Sequence, residues 1–211
     1  MKMFKFMFIF LNSIFLVLSI NAQNKIINDT INCVDSLGKK QGCWKTFYNN
    51  GKINEMKYYI DDLLDGPCIF FYSDGFIKRQ SNFKEGKENG IVTRFDEFGQ
   101  IERIYIYKNG KLNGFQNFFE EGYLSAKAHY VDGKLEGWQR RYWWHNGNVQ
   151  SETKCETNLR NGFFNMYYES GKLEIQAKYV NDTLVWDIRY KENGELEQIE
   201  IFENGKKRIY K

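Results

Sequence analysis

Proline occurs once in 211 residues, histidine twice and cysteine four times, and neither sign of charge dominates. Each scarcity excludes something. With only His129 and His145 available, and no Gly-x-Ser-x-Gly or phosphate-cradling Gly-Lys-Ser/Thr motif, hydrolase and nucleotide chemistry have little support. The cysteines show no Cys-x-x-Cys spacing, so a thiolate metal site is not indicated. Thirty Lys and Arg stand against 27 Asp and Glu, a net charge of +3 that is too even to point to nucleic acid or an anionic membrane. Aromatic residues, by contrast, make up 18% of the chain, which excludes intrinsic disorder. Collagen-like and polytopic membrane classes are excluded too, and the length suits one domain or a repeat array.

The one long apolar run lies at the N-terminus. Met1 to Lys5 carries two lysines, and Phe6 to Ile20 is apolar except at Asn12, Ser13 and Ser19. Ala22 then offers a small residue before Gln23. This is the layout of a secretory signal peptide over residues 1–22, and its apolar part falls short of the roughly 20 residues that cross a bilayer. A secreted or periplasmic protein is expected, with no transmembrane segment after cleavage. Without Lys2 and Lys5 the charge balance is 28 to 27.

Glycine then recurs in register. One phase runs Gly42, Gly66, Gly90, Gly114, Gly137, Gly162; another runs Gly51, Gly75, Gly99, Gly122, Gly147, Gly171, Gly194. A third, four residues before the first, is occupied by Gly38, Asp62, Gly86, Gly110, Gly133, Asn158 and Asp182, and reappears at Gly205. A period near 24 residues outranks local signals and predicts an array of small units. Asn50-Gly51, Asp74-Gly75, Asn109-Gly110, Asp132-Gly133, Asn146-Gly147 and Asn193-Gly194 are hairpin turns, so the chain reverses about every 12 residues. Two residues past the second-phase glycine stand Ile53, Ile77, Ile101, Leu124, Val149, Leu173 and Leu196. Six further on stand Tyr59, Phe83, Tyr107, Tyr130, Cys155, Tyr179 and Phe202, an even separation that predicts one shared face. The fold class is therefore all-β: an elongated antiparallel meander of about seven 24-residue hairpin repeats, about 14 strands, with no second layer to cover it. Residues 23–36 read as a lead-in segment and 37–211 as the array.

The segments Leu37-Gly-Lys-Lys-Gln-Gly-Cys43, Glu85-Gly-Lys-Glu-Asn-Gly-Ile91, Asn109-Gly-Lys-Leu-Asn-Gly-Phe115 and Asp132-Gly-Lys-Leu-Glu-Gly-Trp138 resemble the linking element of MORN repeats. With the aromatic strand and Asn-Gly turn that follow, the pattern is similar to the bacterial variant in YwqK-family antitoxin-like proteins, over about residues 37 to 207. The resemblance implies an elongated hairpin array and an interaction role. Asp182 and Trp186 stand where glycines are expected, a departure at the C-terminal end.

Few residues invite chemistry. Asp61, Asp62 and Asp65 cluster near Gly66 but lack the ligand spacing of a calcium loop, and read as solvated turn carboxylates; no metal or cofactor is expected. His129, one residue before an aromatic anchor, reads as a surface histidine. Cys43 and Cys68 lie one unit apart, ~9.6 Å and too far for a bridge. Cys33 and Cys43 flank Gly38 symmetrically and form a candidate disulfide; the alternative is four small buried apolar residues. The fifth unit stands apart, because Gly137 and Gly147 are ten residues apart instead of nine and enclose Trp138, Tyr142, Trp143, Trp144 and His145. An extra strand residue marks a bulge, and adjacent Trp143 and Trp144 would point to opposite faces. Trp138, Tyr142, Trp143 and Trp144 are thus the candidate binding residues, with structural stacking as the plain alternative. The expectation for function is a secreted non-enzymatic protein-interaction scaffold with an antitoxin-like or immunity-like role. The alternative is a carbohydrate or cell-envelope binding module whose exposed aromatics stack on glycan.

Overall fold

The computed structural model describes residues 31–203 and 206–211. The expected signal segment 1–22, the lead-in up to residue 30 and the Gly205 turn lie outside the described residues.

Turn residues that tolerate positive φ break the chain before any helix can propagate, and the described residues form β-strands joined by turns. Nineteen strands make one antiparallel sheet. They are β1 (Cys33–Val34), β2 (Lys40–Phe47), β3 (Ile53–Ile60), β4 (Leu63–Phe71), β5 (Ile77–Lys84), β6 (Lys87–Glu88), β7 (Gly90–Phe95), β8 (Ile101–Lys108), β9 (Lys111–Leu112) and β10 (Gly114–Glu120). The series continues with β11 (Tyr123–Val131), β12 (Lys134–Leu135), β13 (Gly137–Tyr142), β14 (Val149–Glu156), β15 (Leu159–Tyr167), β16 (Leu173–Val180), β17 (Thr183–Tyr190), β18 (Leu196–Glu203) and β19 (Lys206–Tyr210). The pairs β6/β7, β9/β10 and β12/β13 are collinear halves, since both members of each pair with the same preceding strand. Each strand otherwise bonds its sequence neighbours, so the all-β meander holds.

Direct pairing carries a row of side chains across one face: Lys57, Cys68 and Ser81; then Val92 and Tyr105; then Gln116 and Ala128; then Gln139, Thr153, Phe164, Ala177, Asp187 and Glu200. Among the described residues all but two of the buried ones lie in this row; the exceptions are Gly162 and Cys155, and Cys155, two residues from Thr153 on β14, shares its face. The core is one residue deep on a single-layer sheet, and only four of the buried residues are hydrophobic.

The two anchor series do not share a face. In every hairpin the register shifts once beside the second-phase turn, as between Thr46 and Phe47, where Thr46 pairs with Glu55 but Phe47 pairs with Ile53. Thr46 and Phe47 are adjacent and point to opposite faces, so Ile53 and Glu55 do too. The same shift recurs at Phe70/Phe71, Arg94/Phe95, Phe118/Phe119, Arg141/Tyr142, Met166/Tyr167 and Arg189/Tyr190. This β-bulge moves Ile53 and its equivalents to the wetter face and leaves Tyr59 and its equivalents on the drier one.

Successive units are stitched at the first turns. Asp62 (φ 69°) donates its N–H to Lys40 O at 3.1 Å and accepts Lys40 N–H on Oδ1 at 2.8 Å. Asp182 (φ 64°) repeats this with Arg160, at 2.9 Å for each bond, so aspartate serves at the C-terminal end as it does near the start. The second departure falls elsewhere than expected. Trp186 pairs with Lys178 and Ile201, one step short of Phe202, and the register carries Val185 into the glycine's place. Gly162 shows why glycine is usual there: at φ 132° an added Cβ would lie 3.0 Å from Lys154 Cβ.

Candidate functional site

Units four and five differ in their turns. In the others Gly51, Gly75, Gly99, Gly171 and Gly194 donate N–H to the carbonyl three residues back. The fourth turn is tighter, with Glu120 paired directly to Tyr123 across Glu121 and Gly122. The fifth is wider: Gly147 N–H reaches Trp143 O, four residues back, at 2.8 Å. The extra residue of the fifth unit therefore lies in the turn. The bulge between Arg141 and Tyr142 is the one every unit has, and the expected extra strand residue is corrected accordingly. Asn146 does what Asn50 does, accepting an N–H two residues on and donating Nδ2 to the next turn's backbone, at 3.2 Å to Glu169 O. Trp144 and His145 stand where the five regular turns have one residue.

The wide turn overhangs the tight one. Trp144 is 59% exposed and meets Tyr123, itself exposed, edge-on with ring centroids 6.5 Å apart. His145 sits against both tryptophans, at 5.4 Å from Trp144 and 6.1 Å from Trp143, and its Nε2 lies 3.2 Å from Glu169 Oε2 of the next unit. That contact is an ion pair when the imidazole is protonated. Trp143 is half-buried, and it opens its turn as Tyr48, Tyr72 and Tyr168 open theirs. Those tyrosines donate their hydroxyls to the next unit's backbone, at 2.6 Å to Phe71 O, 2.9 Å to Phe95 O and 2.9 Å to Tyr190 O. The Trp143 indole N–H is buried with no acceptor among the described residues. Of the four expected residues, Trp143 and Trp144 come together. Tyr142 is half-buried in the strand opposite Val149. Trp138 lies at the far end of β13 opposite Lys154, about 13 Å away at strand rise.

Sequence reasoning missed Tyr123 and Glu169, which join the cluster only through pairing with neighbouring units. It also missed a polar network on the wetter face of units five and six. Glu152 accepts from Arg140 Nε at 2.9 Å, Asn165 Nδ2 at 3.1 Å and the Tyr167 hydroxyl at 2.9 Å. Burial alone would raise the Glu152 pKa, but these three donors outweigh it and hold the carboxyl below its usual range. Burial and Glu152 together push the Tyr167 phenol up.

His129 is occupied structurally, its ring 4.8 Å from Phe115 and its Nδ1 3.2 Å from Glu136 O. The cysteines differ from the sequence expectation. The first hairpin centres on Leu37 instead of Gly38, so Cys33 faces Gln41, not Cys43, and the Cys43 thiol is unbridged. Shifting the centre by one residue moves the partner by two, which places Cys43 diagonal to Cys33. Cys68 and Cys155 are buried, and burial pushes both thiols up. Among the described residues no three His, Cys, Asp or Glu side chains converge as metal ligands, and no helix is long and apolar enough to cross a membrane.

Residues 40–61, 88–112 and 161–181 match a family described as a MORN repeat variant. These stretches are similar to MORN repeats. Each covers a strand, a turn and the strand that returns, or most of such a unit, and the unmatched units between them show the same bulge and the same stitching. No curated protein matches the chain. Among solved structures, a TarM mutant from S. aureus, crystallised in complex with Fondaparinux, alpha-GlcNAc-glycerol and UDP, aligns at 11% identity and a TM-score of 0.20. The alignment covers 73% of this chain but only 21% of that one, and so loose a likeness bears on neither fold nor function.

Proposed function

We propose that this MORN-type array is a secreted or periplasmic, non-enzymatic scaffold that binds a protein partner through the turn edge of units four and five. The observation that carries the proposal is Trp144, held 59% exposed over Tyr123 by a turn widened only in this unit. An exposed tryptophan clustered with tyrosine and histidine, and held by neighbouring turns, has the composition of an interface hot spot. An antitoxin-like or immunity-like role toward another secreted protein follows from the likeness to YwqK-family proteins. The test is affinity capture from envelope extract with the mature chain and its Trp144→Ala variant side by side. A protein retained by the first and lost by the second supports the proposal; equal retention refutes the site.

A glycan-binding reading has one observation in its favour. Phe76, Phe98, Tyr123 and Trp144 project from four successive second-phase turns, each more than half exposed. Successive turns lie about 9.6 Å apart, a pitch suited to rings stacking along an extended sugar chain. Recovery of envelope polysaccharide in the same capture, lost on Phe98→Ala, would select this reading.

A further inference from the structure

The drier face carries a row that no neighbouring unit needs. Arg79 on β5 pairs directly with Arg94 on β7, and Arg94 with Arg103 on β8. Like charges directly opposite one another on one sheet face are destabilising, and here three stand in line. The repeat supplies its own comparison. The same row elsewhere sets Arg141 against Ser151 and Ala126, and Arg189 against Gln198 and Ile175. Stacked arginines are therefore no requirement of the fold.

The neutralisation of the three is incomplete. Arg79 binds Glu88 through a short contact and reaches Ser81 Oγ at 3.4 Å. Arg103 reaches Glu102 at 3.5 Å and the Tyr105 hydroxyl at 3.4 Å. Arg94, in the middle, has only a share of Glu102 at 3.9 Å, and its side chain, 43% exposed, makes no hydrogen bond among the described residues. Rings close both ends of the row, Phe70 under Arg79 at 5.8 Å and Phe118 under Arg103 at 5.6 Å. Beside Arg94 the surface opens into a hollow that also takes in Lys78, Arg79 and Asn54. The one carboxylate lining it, Glu55, is held by Lys57 at 2.5 Å.

We propose that Arg94, flanked by Arg79 and Lys78, is a binding site for a tetrahedral oxyanion, the phosphate or sulfate group of an acidic ligand. A guanidinium that makes no side-chain hydrogen bond and only a long ion pair through Nε keeps donors free for the planar fork that two oxygens of such a group accept. An anion seated there would also relieve the repulsion within the row. The site lies on the sheet face, apart from the Trp144 turn edge, so its failure would leave the scaffold reading untouched.

The test is the melting temperature and titration calorimetry of the mature chain in inorganic phosphate and, separately, inorganic sulfate, against sodium chloride at equal ionic strength. The wild type is expected to melt higher in the oxyanion than in chloride. Arg94→Gln should lose that increment, weaken binding about tenfold or more, and melt no lower than wild type in chloride, because it removes repulsion. Arg141→Gln should keep the increment. A response to phosphate alone assigns a phosphate ester, and a response to both assigns the oxyanion geometry. Equal melting in all three salts, retention of the increment by Arg94→Gln, or its equal loss in Arg141→Gln would overturn the proposal.

Discussion

Replacing Trp143 with tyrosine is expected to supply a hydrogen bond that the fifth unit lacks. Tyr48, Tyr72 and Tyr168 each open a turn and donate a hydroxyl to the next unit's backbone, and Trp143 occupies the same place with its indole N–H buried and unmatched. By the repeat, the missing acceptor is Tyr167 O. Both Trp143→Phe and Trp143→Tyr remove the unmatched donor and lose the same indole area, so the difference between them isolates the hydroxyl. One hydrogen bond contributes about 1 kcal/mol net. For an array of this size that is about 2 to 4 °C in melting temperature, in favour of tyrosine. Tyr168→Phe should fall by a matching amount, since its hydroxyl already makes the bond at 2.9 Å. Urea denaturation followed by circular dichroism measures all three variants against wild type. If Trp143→Tyr proves no more stable than Trp143→Phe while Tyr168→Phe loses stability, the equivalence of the two positions is wrong.

Gly162→Ala should destabilise by about 2 kcal/mol or more, because φ 132° suits glycine alone and the new Cβ would press on Lys154 at 3.0 Å; Gly133→Asn, at φ 83° with open space around it, should cost less than about 1 kcal/mol, both read by urea denaturation. Glu152 carries a pH dependence: its folded pKa is depressed, so its contribution is complete above the ordinary glutamate value and is lost as pH falls through the lower folded one. Glu152→Gln should therefore flatten the acid limb of a stability-against-pH curve, and an unchanged limb would count against the network. Native alkylation should modify Cys43 while sparing the buried Cys68 and Cys155, whose thiols react only on unfolding; non-reducing peptide mapping reports each site.

The turns were legible in the sequence because positive φ restricts them to few residue types, and Asn50-Gly51 or Asp132-Gly133 announces itself without tertiary context. What lay across the sheet was not. A bulge adds one residue without any compositional mark, so the even spacing from Ile53 to Tyr59 pointed to one face when the register puts them on two. The same blindness misplaced the partner of Cys33, gave Trp186 the glycine's place that belongs to Val185, and put the fifth unit's extra residue in a strand. The tryptophan cluster was legible by composition, but Tyr123 and Glu169 belong to other units and enter it only through pairing. The stacking of Arg79, Arg94 and Arg103 likewise exists only once the strands are aligned.

The bulge beside each second-phase turn has a consequence for how such an array can vary. Because the register shift is completed within the strands, the pairing of Gly114 with Tyr130 and of Gly137 with Cys155 is the same whether the adjoining turn is one residue short or one residue long. Insertions and deletions at these tips are absorbed where they occur and do not propagate into the ladder. The sheet thus acts as a fixed comb whose teeth can be lengthened, shortened or recoloured one at a time. Grafting the Trp143–Asn148 tip onto another unit would relocate its rings by a whole number of units while the frame beneath stayed unaltered.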